Sequence, residues 1–456
     1  MDARMLLPVV CVILLVSALI PGCTFSSPQG PGEVPVTPEY TPLPTPVGAP
    51  VAGCSGLQPA VVSDTNVYQV PSLAEPSPRV SFRDPVFGSC IVRVTDRKKD
   101  IPSDDSSKGL KNEYSRVQAF NADESGILIR GTEGTWYLYD AATLLPSGRV
   151  PVEMDPRWDA TDKNLLYYIS GTVLMVYSIK TGEQKIIHNF TRDFSGMKPA
   201  MVWTRYEGSP SLDGRFWGFM VQDENSATTA LLIYDQKLDR IIAQRDLRGI
   251  KNSNPDSATI SPLGTYLVVQ DDYCERGKMG TFDVPCGLMV YDNTLKSARG
   301  LLRIVGHSDL SLDAAGREVL VFQDIDNDYI SVLDLASGSV TPLYPIDFSY
   351  TPLGFHFSGL AFRHPGWAIV STYSGGTPAA FTWMDDQVFA IELKKNGRIV
   401  RLAHTHSIVR EGGEQDYWAE PQATVNRNMT KILFSSNWGR AGTDEVETYL
   451  IAISMD

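Results

Sequence analysis

Beyond residue 110 the hydrophobic and polar positions of the chain repeat one phrase about seven times. A polar stretch leads to a turn built on Asp, Asn or Gly, and a short apolar run follows. A second apolar run then closes on Asp or Glu. Ser211-Leu212-Asp213-Gly214 precedes the run 215–220, Ser261-Pro262-Leu263-Gly264 precedes 265–270, and Ser311-Leu312-Asp313 with Gly316 precedes 317–322. Apolar runs this short, bounded by turn residues, predict strands rather than helices. Self-similarity built only from strands predicts a β-propeller, a ring of small sheets around a channel.

The repeats predict innermost strands at 116–120, 156–160, 209–212, 257–260, 308–312, 359–362 and 422–425. Second strands are expected at 126–130, 164–169, 216–222, 266–271, 318–323, 367–372 and 431–436, and third strands at 135–140, 173–178, 230–235, 288–292, 329–334, 387–392 and 448–454. The last repeat runs out before its outer strand. Cys90–Thr95, a β-branched run upstream of the repeats, can supply it and close the ring without an exposed edge. The expected fold is therefore all-β, a seven-bladed β-propeller over 83–456 closed by an N-terminal strand, with almost no helix. Six blades is the alternative, if the weak second repeat is misread.

The N-terminus carries an address. Met1–Arg4 is a minimal basic segment, and Met5–Ile20 is almost wholly apolar but short for a membrane span. This pattern predicts a signal peptide over 1–22. Ile20-Pro21-Gly22-Cys23 resembles a bacterial lipobox, which would make Cys23 a lipidated mature N-terminus; an uncleaved anchor is the alternative. Prolines 28, 31, 35, 38, 42, 44, 46 and 50 make 23–50 a semi-extended tether, and 51–82 is expected to wrap the propeller surface. The bulk of the chain is expected outside the cytoplasm, held at a membrane.

Cysteine usage agrees with export. Outside the leader stand Cys54, Cys90, Cys274 and Cys286, an even set that predicts disulfides with three possible connectivities. Cys274 and Cys286 flank a Gly-containing excursion inside one repeat, which favours a local bridge and leaves Cys54 for Cys90. No Cys-x-x-Cys occurs, which argues against a zinc site of cysteines.

Net charge is −13 and charged residues make up 20% of the chain, which argues against nucleic acid as a partner. The expected partners are a glycan or an envelope protein, with the propeller itself a monomer. In a propeller the links that cross one face converge just before the innermost strands. Those positions hold Arg116 and Gln118, Asp155 and Arg157, Glu207, Asn254 and Asp256, His307 and Asp309, His356, and Glu420 and Gln422, with Tyr417 close by. A ring of polar groups around a concavity is what a ligand site needs, although a solvated rim is polar as well. Histidine is scarce in this chain, yet it appears at two of these positions.

Gly306-His307-Ser308-Asp309-Leu310-Ser311, and Glu420-Pro421-Gln422-Ala423-Thr424-Val425 before the run 431–436, resemble the strand approaches of the oligogalacturonate-lyase-like propellers. More loosely, they resemble the propeller of the Tol translocation protein. The lyase resemblance implies a divalent metal held at the channel mouth by His and Gln, and β-elimination of short pectic fragments with a His as general base. It places His307 at a ligand position. With His356, Glu420 and Gln422 it makes up a candidate set for manganese, calcium or zinc. The chain departs from the family at Glu420 and Gln422, where the family carries a His-x-His pair, and no residue is identified as the base.

Other candidate chemistry is thinner. His404-Thr405-His406 would set both imidazoles on one side of an extended backbone, a chelating geometry, or else hold two unrelated rings. His364 is expected to be structural. Asp324-Ile325-Asp326-Asn327-Asp328 lacks the Gly and distal Glu of an EF-hand and fits a hairpin turn. Asn189 and Asn428 head glycosylation sequons. No Walker loop, nucleophile elbow or His-Glu-x-x-His is present. The function expected is a membrane-tethered binding or scaffold module, with a metal-dependent carbohydrate enzyme or an envelope assembly factor as alternatives.

Overall fold

The structure is a computed structural model and describes residues 62–251, 253–348, 353–374, 381–411 and 414–453. The leader, the tether, Cys23 and Cys54 lie outside the described residues. Among the described residues no helix is long and apolar enough to cross a membrane.

Seven antiparallel sheets form a seven-bladed β-propeller. Blade 4 shows the plan: Ser257–Ile260, Tyr266–Gln270, Leu288–Asp292 and Ala298–Leu302 run from the channel outwards, each paired with the next. The recurring phrase is the turn between the first two strands. Gly214, Gly264 and Gly316 all sit at φ near +76°, where only glycine is unstrained. The Ser211 and Ser261 hydroxyls accept the backbone N–H groups of Phe216 and Tyr266 at 2.9 Å, which fastens the turn to the second strand.

Middle strands read as continuous apolar runs because both faces are buried. In Tyr266–Gln270, Leu267 and Val269 pack towards blade 3 and Val268 towards blade 5. Among the described residues, one apolar cluster fills each of the seven gaps between neighbouring blades. Among the described residues helix is confined to Arg97–Asp100 and two short 3₁₀ turns.

Closure follows the expected route. Blade 7 takes Thr424–Val425, Lys431–Ser436 and Glu447–Ala452 from the C-terminal end. Cys90–Arg93 then pairs antiparallel with Glu447–Ala452, and Ser81–Arg83 adds a fifth strand outside it. Upstream residues lie across blades 6 and 7: Val62 pairs with Arg401, Leu73 accepts the Trp438 indole N–H at 3.0 Å, and Glu75 meets Arg440 at 2.8 Å. Cys274 and Cys286 form the local disulfide of blade 4. Cys90 is disulfide-bonded.

Three innermost strands differ from expectation. In blade 1, Leu110–Lys111 pairs with Gly131 and Arg130, and contact resumes where the Ala119 carbonyl accepts the Leu128 N–H at 2.9 Å and Phe120 pairs with Ile127. In blade 3 the strand is Pro199–Trp203, and Ser211 rejoins the ladder at Phe216. Between these points 112–118 and 204–210 leave the ladder. In blade 6 the strand is Leu353–Ser358, which places His356 within it rather than before it. The acidic run 324–328 is a hairpin turn, with Asp324 paired to Tyr329.

The seam between the chain ends rests on one buried carboxylate. Glu447, with a fully buried side chain, accepts the Thr95 hydroxyl at 2.6 Å and the Arg97 guanidinium at 2.8 Å, with Arg93 at 3.6 Å. Glu447→Ala leaves two arginines facing a void and is expected to cost about 3–5 kcal/mol of unfolding free energy. Asp123→Ala, which breaks the exposed pair with Lys163, should cost under about 1 kcal/mol. Equilibrium denaturation of the two variants checks the contrast.

Candidate functional site

The two excursions from the ladder build the channel mouth. The 204–210 segment is held from blade 2. Asp155 accepts the Thr204 and Tyr206 backbone N–H groups at 2.6 and 2.7 Å. Arg157 donates to the Gly208 and Tyr206 carbonyls at 2.7 and 3.0 Å and pairs with Glu113 of the 112–118 segment at 3.0 Å. Both residues belong to the predicted mouth set, but their polar groups are engaged inside the protein, so they position loops. Holding the loops costs backbone freedom: Arg205 and Tyr206 adopt φ of 58° and 70°.

The loops deliver a connected set of side chains. Glu207 pairs with Arg116 at 2.9 Å, and the Arg116 guanidinium lies 5.7 Å from the Tyr114 ring centre. Tyr114 meets His356 edge-on at 5.4 Å, and His356 stacks on His307 at 4.5 Å. His356 Nε2 stands 3.3 Å from Glu420 Oε2. Lys111 donates to Gln422 Oε1, and its ammonium lies 5.3 and 5.2 Å from the Tyr417 and Trp418 rings. Arg130 leans on Trp418 at 5.5 Å and, among the described residues, has no carboxylate at ion-pair distance. Of the predicted residues, the structure thus brings together Arg116, Glu207, His307, His356, Tyr417, Glu420 and Gln422. Asp309 lies beneath them, accepting the Gly359 N–H at 2.6 Å and tying blade 5 to blade 6. Asp256 stays at the exposed rim beside Arg205, 3.1 Å away.

Burial controls the electrostatics here. Desolvation lowers Lys111 to about 7, offset in part by Glu420. It raises Glu113 and Asp309 to about 7, against the pull of Arg157 on the first and the Gly359 N–H on the second. His307 is pushed down to about 3 by burial and by His356, and His356 is lowered by burial. Both imidazoles are therefore neutral near pH 7. His307 Nδ1 donates to the Phe355 carbonyl, which leaves Nε2 as its acceptor. Tyr417 is half exposed in area, and burial of its hydroxyl raises it to about 12.

The donor set does not fit a divalent ion as it stands. His307 Nε2, His356 and Glu420 remain as ligands, but the Gln422 oxygen is taken by the Lys111 ammonium, and a buried cation at that point repels a second one. Among the described residues no group of three or more His, Cys, Asp or Glu is arranged to hold a metal. The His404/His406 pair is not a chelate: His404 stacks on Phe87 at 4.6 Å, His406 on Trp438 at 4.2 Å, and φ at His406 is 54°, so the backbone is not extended there.

Lys111, Glu113, Tyr114, Arg130 and Trp418 were not anticipated. The first three lie upstream of the strand expected at 116–120: Lys111 ends the short strand Leu110–Lys111, and Glu113 and Tyr114 belong to the excursion that follows it, while Arg130 ends a strand read only for its apolar core.

No protein-family model matches the chain, and no curated protein matches it significantly. Solved structures do. An oligogalacturonate lyase in complex with manganese matches with TM-score 0.57 and 14% identity, over 82% of this chain and 96% of that one. The oligogalacturonate lyase of Vibrio parahaemolyticus matches with TM-score 0.57 and 11% identity, over 87% and 99%. TolB from Acinetobacter baumannii overlaps 67% of this chain at 16% identity, with TM-score 0.36. The chain shares the propeller fold of the lyases. At these identities the likeness is one of fold.

Glu113 gives a measurable signature of this mouth. Its proton affinity is raised on folding, so it adds stability below its unfolded value near 4.5 that is lost as pH rises towards about 7. Wild-type stability should fall relative to Glu113→Gln across that window, by at most about 1.4 kcal/mol per pH unit. Denaturation curves of both proteins from acid to neutral pH read the difference.

Proposed function

We propose that the chain is a membrane-tethered, extracytoplasmic binding module whose channel mouth takes an acidic glycan. The observation that carries this reading is the Tyr417–Trp418 shelf with Arg130 and Lys111 against it. The exposed Tyr417 ring and the partly buried Trp418 beside it offer faces to the C–H groups of sugars, and the polar groups behind them are placed to meet hydroxyls. Arg130, a cation with no carboxylate partner among the described residues, is the natural seat for a sugar carboxylate. Its ring contacts hold it in place before any ligand arrives, which lowers the ordering cost of binding. Cys23, or an uncleaved leader, would supply the tether.

A second reading is a metal-dependent eliminating enzyme of the lyase type. It is favoured by the approach of His307, His356 and Glu420 to one another and by the manganese of one similar structure. The Lys111–Gln422 bond weighs against it. An envelope protein seated at the mouth is the remaining occupant.

Calorimetric titration with oligogalacturonate and with a neutral oligosaccharide tests the proposal. Binding should be selective for the acidic ligand and survive a chelator. Arg130→Gln and Tyr417→Ala should each weaken it at least about tenfold, the equivalent of about 1.4 kcal/mol. Absence of binding rules out the glycan reading. Binding that requires metal, with ultraviolet absorbance of an unsaturated product appearing over time, replaces it with the lyase.

A further inference from the structure

The other end of the channel is built from residues that follow the innermost strands rather than precede them. Strands of this length separate the two ends by roughly 15 Å. A cavity of about 50 Å³ opens there, and Gln118, Trp158, Ser209, Leu360, Phe362 and Arg427 are among its walls. Since one water needs roughly 10–15 Å³ by this measure, the space admits a small ion.

Charge is out of balance around this cavity. Arg427, Arg363 and Lys431 are all buried, with side chains or whole residues at 7%, 7% and 5% exposure. The carboxylate among them is Glu124, which is 3.9 Å from Arg363 Nη1. Its oxygens already accept the Asn426 and Asn428 amides at 2.7 and 2.9 Å. Arg427 Nη1 donates only to the Phe120 and Asn121 carbonyls, at 3.3 and 3.1 Å. Among the described residues neither Arg427 nor Lys431 has a carboxylate at ion-pair distance. Nε and Nη1 of Arg363 are buried with no hydrogen-bond partner. Asp159, whose charge also reaches Arg427, accepts the Thr161 and Asp162 backbone N–H groups at 2.8 and 2.7 Å, and Asp123 is paired with Lys163 at 2.8 Å. Burial and the neighbouring Arg363 push Arg427 down to about 10, in keeping with an excess of positive potential.

Buried guanidinium groups normally face a carboxylate or phosphate, because an unpaired charge or donor in a protein interior is expensive. Here Arg427 lines a cavity, and the neighbouring Arg363 has donors to spare. We propose that this end of the channel is an anion site, in which a carboxylate or phosphate oxyanion is bound by Arg427 and Arg363. The shape of the donors suits such a group: guanidinium forks meet two oxygens at once, with charge-assisted bonds. The cavity reaches up to Arg157, which fastens the mouth loops, but its proposed donors, Arg427 and Arg363, are distinct from Arg130 and the Tyr417 shelf, so the site stands whether or not a glycan binds at the mouth.

Calorimetric titration of the wild-type chain with inorganic phosphate, with acetate and with galacturonate forms the first test. At least one of these should fill a single saturable site that Arg427→Gln weakens at least tenfold, while Arg248→Gln, an exposed surface change, leaves it intact. The order of affinity across the three arms says whether the site prefers a phosphate or a carboxylate. A second measurement needs no variant: tungstate soaked into crystals of the wild-type protein should give an anomalous peak beside Arg363 and Arg427. Missing tungstate density overturns the proposal. So does oxyanion binding that Arg427→Gln leaves unchanged, or that falls only with Arg130→Gln at the other mouth.

Discussion

Everything in this molecule depends on closing the ring. Each blade buries both faces of its middle strands, so each is stable only with a neighbour on either side, and the clusters between blades form a closed cycle. The cycle holds because Cys90–Arg93 joins Glu447–Ala452. Apolar pairing alone does not register that seam, because Ile91 and Val92 face residues of similar character. The register is set by Glu447, which draws Thr95, Arg97 and Arg93 to one buried point. A slip of one residue would turn those arginines away from it. The carboxylate is costly to bury, and burial raises its proton affinity against the pull of Thr95 and its arginines. Its use at the junction of the two chain ends is consistent with a role in specificity as much as in strength.

Closure also explains the chemistry of the channel. Seven strands around an axis bring polar groups from distant parts of the sequence within contact of each other and away from water. Lys111, Glu113, Asp309 and the two stacked histidines are therefore far from their ordinary proton affinities. Much of this polarity is structural. Asp155 and Arg157 fasten loops, and Asp309 links two blades. What remains for a ligand is the side of the mouth where blades 1 and 7 meet: Lys111, Arg130, Tyr417 and Trp418. The strand that closes the ring thus supports the same pair of blades that carries the best ligand chemistry.

The architecture was legible because it is written in local signals repeated many times. Polar turns mark where the second strands begin, as Ser-x-x-Gly in two blades, and a Gly at positive φ is hard to replace, so Gly214, Gly264 and Gly316 announce three blades unaided. The missing outer strand of the last repeat pointed to Cys90 for the same reason: a count that does not close is itself a signal. The site was less legible. Position before an inner strand found Arg116, Glu207, His307, Glu420 and Gln422, which do gather. It mistook Arg157 for a free group, since a sequence shows the residue and not its partners. It missed Lys111 and Tyr114, because the innermost strand of blade 1 begins at Leu110, upstream of the 116–120 run that the repeat predicts, and an excursion follows it. Departures from the repeat are where a propeller carries its individual chemistry, and they are invisible to a method that looks for the repeat.

The two ends of the channel differ in a way that bears on what the molecule can hold. At the mouth, cations and carboxylates largely answer one another; buried Lys111 is held by the Gln422 amide, and Arg130 sits partly exposed on aromatic rings where water can reach it. At the far end, Arg363 and Arg427 are buried beside each other with one carboxylate already shared among two amides. An exposed lone cation costs little and needs no explanation. A buried pair of like charges works against the fold, and Glu124 and the more distant Asp159 offset it only in part, which leaves room for a further anion. The positive end of the channel is therefore the less ambiguous indication of an anion, although the mouth displays the more familiar array of polar residues.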